Sequence, residues 1–378
     1  MKTSTSKRLR WNVAIWLAAG LFMTSTAGMA SGPILPDPKA EARHQPQVEE
    51  TANGIPLVNI TAPSSGGVSR NEYEMFNVPD KGAILNNSYT LSKTELAGYV
   101  QGNNNMAERP AKIIVNEVTG AGPTSMDGFL EVAGNRADVV IANPNGITVN
   151  GGGFINTGKA FLTTGKPVYD GEDHLQRFDI TGGDILIEGK GLGGKETGSL
   201  AILSRAVKIN AGIWAKDLHI TTGANTVDAK TLEASAIEGK GGRPAFALDT
   251  AAIGGMYAGR ITLVGTEKGL GVNNSGTWSA EDNLTLDWNG DLKNSGTIYS
   301  KGNTDLRASR LENDKTIAAE RNLSAAAKEN IRNQGKLLAG ENMGIYAGKT
   351  LDNAGHAMES RNNLSIETGD AINNAAGT

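Results

Sequence analysis

The sequence predicts an all-β protein that ends in a β-solenoid, and three observations carry the prediction. Val, Ile and Thr alternate with Asn, Gly and Ser along most of the chain. Glycine is abundant, at 49 residues, while aromatics make up only 5%, a balance that disfavours long helices and favours many turns. From Gly271 onward the chain is periodic, with a unit close to twenty residues.

In chain order, the first thirty residues read as a secretory signal peptide. Lys2, Lys7, Arg8 and Arg10 make a basic start, and Val13 to Met23 is an apolar run of eleven residues. Gly28-Met29-Ala30 fits a cleavage site after Ala30, with Ser25-Thr26-Ala27 as an alternative cut. The run is too short for a membrane anchor: as a helix it would rise only about 16 Å, against a hydrocarbon core of about 30 Å. Residues 31–52 carry Pro33, Pro36, Pro38 and Pro46 among polar residues and read as a linker without a core of its own. Residues 53–265 form a series of short strand patterns bounded by Gly, Asn or Pro, among them Ile55 to Ile60, Ile113 to Val118, Phe129 to Val132, Val139 to Ile141 and Ile147 to Val149.

Residues 271–378 are the repeats. Asn274, Asn294, Asn313, Asn333, Asn353 and Asn374 open successive units at spacings of 20, 19, 20, 20 and 21. A second Asn follows nine residues into each of the first five units, at Asn283, Asn303, Asn322, Asn342 and Asn362. Apolar residues recur four residues in (Trp278, Ile298, Ile317, Leu337, Ala357) and two before each new unit (Leu292, Leu311, Ile331, Leu351, Ile372). Twelve residues in stand Leu286, Leu306, Ala325 and Ile345, with the fifth unit displaced by one to Ile366. At about 3.3 Å per residue, such a unit makes three short strands and three corners, and stacking at about 4.8 Å lets each coil pair its backbone with the next. Equivalent apolar residues then stack inside, and the Asn residues form a ladder at the corners. Paired-helix repeats are longer, roughly 33 to 47 residues. The last unit stops at Thr378, just past Asn374, so the array is expected to end on an open coil and the chain to be a piece of a longer protein.

Chemistry is poorly represented. Gly189 to Gly194 matches a dinucleotide-binding glycine pattern, but no helix pattern follows it and it reads as a loop. His44, His174, His219 and His356 have no paired ligand spacing, so no metal and no cofactor is expected. A net charge of −4 without a basic block argues against nucleic acid as partner, and the chain has no cysteine for disulfides. The informative motif is Asn143-Pro144-Asn145-Gly146-Ile147, whose Asn, Pro and Gly positions suit a type I turn between two strands.

The stretch from Phe129 through Asp138, Val139 to Ile147 and on to Thr157 resembles the haemagglutination-activity, or two-partner-secretion, domain of filamentous haemagglutinins and contact-dependent inhibition exoproteins. So do Gly54 to Ile60, Phe76 to Val78, Gly82 to Ser88 and Ile113 to Val118, and the later units resemble that family's haemagglutinin repeats. At the place of the family's second short motif this chain reads Asn103-Asn104-Asn105-Met106, without the proline, so that turn is expected to be less preorganised. Where many relatives carry two cysteines, residues 150–153 read Asn-Gly-Gly-Gly. The resemblance implies a right-handed parallel β-helix with an N-terminal cap, exported through the periplasm and outer membrane to the cell surface or medium. It implies recognition by the periplasmic domains and barrel of an outer-membrane transporter, and a receptor on a host or neighbouring cell. Three functional classes are open: adhesin, toxin-delivery protein of contact-dependent inhibition, and, least supported, a β-helical carbohydrate-active enzyme.

Overall fold

The computed structural model describes residues 32–107, 109–354 and 356–374. The expected signal peptide and its cut after Ala30 lie outside the described residues. From Gly32 the chain winds into a right-handed parallel β-helix of about twelve coils, each with three strand faces. The first face stacks Pro56–Asn59, Ala83–Asn87, Phe129–Gly134, Gly152–Ile155 and Leu192–Gly194 before the repeats. The second stacks Val68–Phe76, Ile113–Val118, Ala137–Ala142, Thr157–Thr163 and Ser199–Ser204. Gly212–Thr222 and Gly255–Gly265 each run through both faces. The third face is an unbroken column of eleven short strands, from Thr124–Met126 to Ala371–Asn373.

One inward column on the third face shows how the repeats grow out of the preceding coils. It reads Val149, Ile187, Ile209, then Thr250, Asn274 and Asn294. Aliphatic side chains fill the corner in the early coils, threonine marks the change, and asparagine takes over. At the change the core is filled by Trp278 and Trp288, both fully buried, whose indole N–H groups donate to Thr250 Oγ1 at 3.0 Å and Leu270 O at 2.8 Å. Strand pairing runs without a gap from Gly255–Gly265 to Thr277–Ala280 and Leu284–Trp288.

Two stretches differ from the sequence expectation. Of the stretch 31–52 expected as a linker, the described residues 32–52 are not a bare linker. Ile34–Pro36 pairs antiparallel with Val68–Phe76, Gln47–Glu50 pairs antiparallel with Pro56–Asn59, and Ile34 is buried in the main core. These strands cover the lower edge of the first coil. Proline is tolerated there because an edge strand needs only one side of its backbone bonds. Within Gly189 to Gly194, expected as a loop, Leu192–Gly194 is a short strand paired on both sides.

Two antiparallel additions sit outside the helix. The hairpin Ser92–Thr94/Gly98–Val100 covers Ile55, Leu57, Ile84 and Ala133 on the first face. A four-stranded sheet of Lys166–Tyr169, Leu175–Ile180, Asn225–Asp228 and Ala234–Ala236 covers Val115, Val140, Phe161 and Leu203 on the second. This is why Val139, Val140, Ile141 and Ala142 are all buried: a strand covered on both faces reads as a continuous apolar run.

Candidate functional site

The motif at 143–147 forms the corner between the second and third faces. Asn143, fully buried, closes the turn twice: its carbonyl accepts from Gly146 N–H at 3.1 Å, and its Oδ1 accepts from Asn145 N–H at 2.9 Å. Its Nδ2 donates to Gly122 O and Thr124 Oγ1, both at 3.0 Å, in the corner of the coil below. Pro144 and Asn145 are exposed, and Asn145 Nδ2 donates to Gly120 O at 2.8 Å and back to Asn143 Oδ1 at 3.0 Å. Gly146 has φ +111°, a conformation side chains rarely adopt, and its carbonyl accepts from Thr124 N–H at 3.0 Å. Ile147 follows directly into the core. The motif is therefore a turn and also a clamp between two successive coils.

Asn103-Asn104-Asn105-Met106 repeats the same bonding without proline. Asn103 Oδ1 accepts from Asn105 N–H at 3.0 Å and its carbonyl from Met106 N–H at 3.2 Å. Asn103 Nδ2 donates to Ile60 O at 2.9 Å and Asn86 O at 3.0 Å, and Asn105 Nδ2 to Ile60 O at 3.1 Å. Met106 is fully buried, as Ile147 is. In both motifs the first Asn organises the turn, the third residue reaches the coil below, and the fourth or fifth residue anchors in the core.

In the repeats, Asn274, Asn294, Asn313, Asn333 and Asn353 are buried and linked amide to amide. Each Nδ2 donates to the next Oδ1, at 2.8, 2.8, 2.7 and 2.6 Å, and Asn353 continues to Asn374 at 2.9 Å. A second, more exposed ladder joins Asn303, Asn322 and Asn342 at 2.9 Å per step and ends on Asn363 at 3.0 Å, not on Asn362. Likewise Met358, not Ala357, pairs with Leu337. The turn after Asn353, closed by His356 N–H on its carbonyl, is one residue longer than the corresponding earlier corners and moves everything beyond it by one.

The charged residues are structural fasteners. His44 of the N-terminal cap lies 3.0 Å from Glu72 and 3.8 Å from Asp173 of the outer sheet; Arg70 pairs with Glu72 at 2.9 Å and Glu117 at 3.4 Å. Burial pushes the Glu117 carboxyl above its usual range, with the Arg70 guanidinium pulling the other way. Arg70 also sits 4.4 Å over the ring of Tyr169, joining the outer sheet to the first coils. His219 is driven down to about 4 by burial. Among the described residues no group of three His, Cys, Asp or Glu is placed to hold a metal ion.

Residues 33–299 match the family described as "TPS secretion domain", and residues 299–378 match "Haemagglutinin repeat". The first of these is not an enzymatic family. The chain is 42% identical over 298 residues to "Toxin CdiA" of Yersinia pestis, covering 73% of this chain and 9% of that protein. It is 40% identical over 343 residues to "16S rRNA endonuclease CdiA" of Enterobacter cloacae subsp. cloacae, covering 89% of this chain and 10% of that protein. The chain thus spans about a tenth of the length of these curated relatives. Among solved structures it resembles the "Crystal structure of filamentous hemagglutinin secretion domain", with 27% identity and a TM-score of 0.59 over 91% of this chain and 100% of the other.

Proposed function

The chain belongs to the two-partner-secretion exoproteins of the haemagglutinin type, and from that membership we propose that it directs export and nucleates folding of a large surface protein. The observation that carries the reading is the coincidence of the family match with the capped part of the helix, where two asparagine corners clamp the first coils together. After removal of the leader the chain stays extended in the periplasm. There the periplasmic domains of its outer-membrane transporter recognise it by adding its strand segments to their own sheet edges, with turns setting the register. Outside the cell the cap folds first, and each coil offers its edge to the next. Stacking of successive coils then draws the chain outward without an energy source in the outer membrane.

In this reading Asn143, Pro144, Asn145, Gly146 and Ile147 are the principal secretion motif and Asn103 to Met106 the secondary one. Both act by making the first coils close. These coils themselves carry out no catalysis in this reading. Its solenoid serves as stalk and binding surface of an adhesin. Delivery of a toxin in contact-dependent inhibition is the second reading, favoured by the names of the relatives, CdiA toxins and nucleases that extend far beyond the matched region. The test is production in cells with and without the cognate transporter. Protease-resistant chain in the medium only when the transporter is present supports the proposal; equal amounts outside without it would overturn it.

A further inference from the structure

Between the hairpin on the first face and the four-stranded sheet on the second, the corner joining the two faces carries an open notch of about 860 Å³. Successive coils cross its floor on small residues, Ala137, Gly158 and Gly198. The Gly198 N–H donates to Gly158 O at 2.8 Å, and a methyl on Gly198 would stand 2.8 Å from that same oxygen. A methyl on Gly158 would stand 2.3 Å from Asp138 Oδ1. Neither glycine is in the left-handed φ region, so it is the close stacking of the coils that calls for glycine here.

Three cations line the notch, one from each of three successive coils: Lys112, Arg136 and Lys159. Lys112 immediately precedes Ile113–Val118, and its carbonyl accepts from the Asp138 N–H of the next coil at 2.8 Å. Arg136 Nη2 donates to Thr157 O at 2.8 Å, and its guanidinium reaches to 4.0 Å from where a methyl on Gly198 would stand. Lys159 stands on a β-bulge, where Gly158 and Lys159 together face the single residue Asp138 between the pairs Ala137–Thr157 and Val139–Ala160. All three are exposed, and none is in an ion pair among the described residues. The acids at the notch are already engaged. Asp138 Oδ1 accepts from Lys159 N–H at 2.7 Å, and Asp217 pairs with Arg260 at 3.2 Å. Burial pushes the Asp138 carboxyl above its usual range, with that N–H bond and the Lys159 and Arg136 charges pulling the other way.

We propose that this notch binds a short, extended, acidic peptide segment of a partner protein. Coils stacked at about 4.8 Å spread the three cations over about 10 Å along the helix axis, the length of about three extended residues. Acidic side chains at alternate positions of such a segment meet them together. The Ser199 hydroxyl and the Asn135 amide line the same notch and add neutral donors. A short segment is favoured over a long polyanion because the chain as a whole carries a net charge of −4, which repels acidic polymer beyond the notch. The inference concerns the folded chain and goes beyond the export reading; a purified chain tests it whether or not that reading holds.

The experiment titrates the purified full chain with fluorescein-labelled octaglutamate, following anisotropy at several salt concentrations. The peptide should bind at low salt and weaken steeply as salt rises. Lys112→Gln combined with Lys159→Gln leaves Arg136 and its bond to Thr157 in place. This pair should weaken binding about tenfold while the urea midpoint stays close to that of the parent. Removing as many charges from the repeats, with Lys293→Gln and Lys336→Gln, should change binding by less than about twofold. No binding of octaglutamate by the parent, or equal losses in the two lysine pairs, would overturn the proposal. Sedimentation with phosphatidylglycerol vesicles, against phosphatidylcholine vesicles, tests the rival occupant. Vesicle binding that is lost with Lys112 and Lys159, in a chain that does not bind octaglutamate, would assign the notch to lipid phosphate instead.

Discussion

Replacing Asn143 by alanine should loosen the corner at 143–147 far more than replacing Asn145. The Asn143 side chain makes four hydrogen bonds in a fully buried site: two accepted from Asn145 and two donated to Gly122 O and Thr124 Oγ1. At about 1 kcal/mol net for each bond that leaves a buried partner unsatisfied, with the exposed Asn145 amide counting for little, the loss is about 3 kcal/mol. Asn145 is exposed and its main independent bond is to Gly120 O at 2.8 Å, which puts Asn145→Ala at about 1 kcal/mol. A stacked repeat need not unfold in one step, so the assay should be local. Hydrogen exchange of Gly146 N–H, which donates to Asn143 O, reports opening of this corner. Exchange at Gly146 should accelerate about a hundredfold in Asn143→Ala and about fivefold in Asn145→Ala. Export by the cognate transporter should fall in the same order. If Asn145→Ala exchanged as fast as Asn143→Ala, the clamp would not lie where the hydrogen bonds put it.

The ladder makes a similar claim for the repeats. Asn313→Ala should lower stability by about 2 kcal/mol, read as a drop in urea midpoint, and Asn313→Asp should do worse. The carboxylate would keep the bond from Asn294 but face the Asn333 Oδ1, now 2.7 Å from Asn313 Nδ2, with no proton to share; equal midpoints for parent and both variants would refute it. A chain lacking residues 32–52 should expose the lower edges of Pro56–Asn59 and Val68–Phe76 and aggregate, whereas the parent stays monomeric in sedimentation. Acid should weaken the fold through His219, whose folded pKa is depressed to about 4 from 6.5. The unfolded chain binds the proton first, so this contribution is complete above about pH 6.5 and is lost as pH falls toward 4, by about 2–3 kcal/mol. His219→Gln should flatten the urea midpoint between pH 6.5 and 4.5; an unchanged slope would mean that the imidazole is not desolvated.

Much of the repeat region was legible because its physics is periodic. The Asn spacing and the columns through Leu286, Leu306, Ala325, Ile345 and Ile366 stack as the sequence suggests. The slip at Ala357 and Asn362 came from counting across a corner that holds one extra residue. Prolines hid the cap: Pro33 and Pro36 read as a linker, but a strand at the first edge needs bonds on one side only. The outer four-stranded sheet was not legible, because its halves lie in two distant insertions, Lys166–Ile180 and Asn225–Ala236. Its trace was the apolar run at 139–142, buried on both faces. The secretion motif could be read as a turn. Its role as a clamp could not, since Gly120, Gly122 and Thr124 become its partners only once the coils stack.

The central claim is that the capped N-terminal coils, and not the repeats, carry the export and folding signal. It is tested most directly by splitting the chain between the two family matches, after residue 299. Residues 1–299, and residues 1–31 joined directly to 300–378, are each produced with the cognate transporter, and the protease-resistant material in the medium is measured. The account predicts that the first reaches the medium folded and that the second stays in the periplasm and is degraded. Export of the repeats without the capped coils, in amounts matching the full chain, would contradict it.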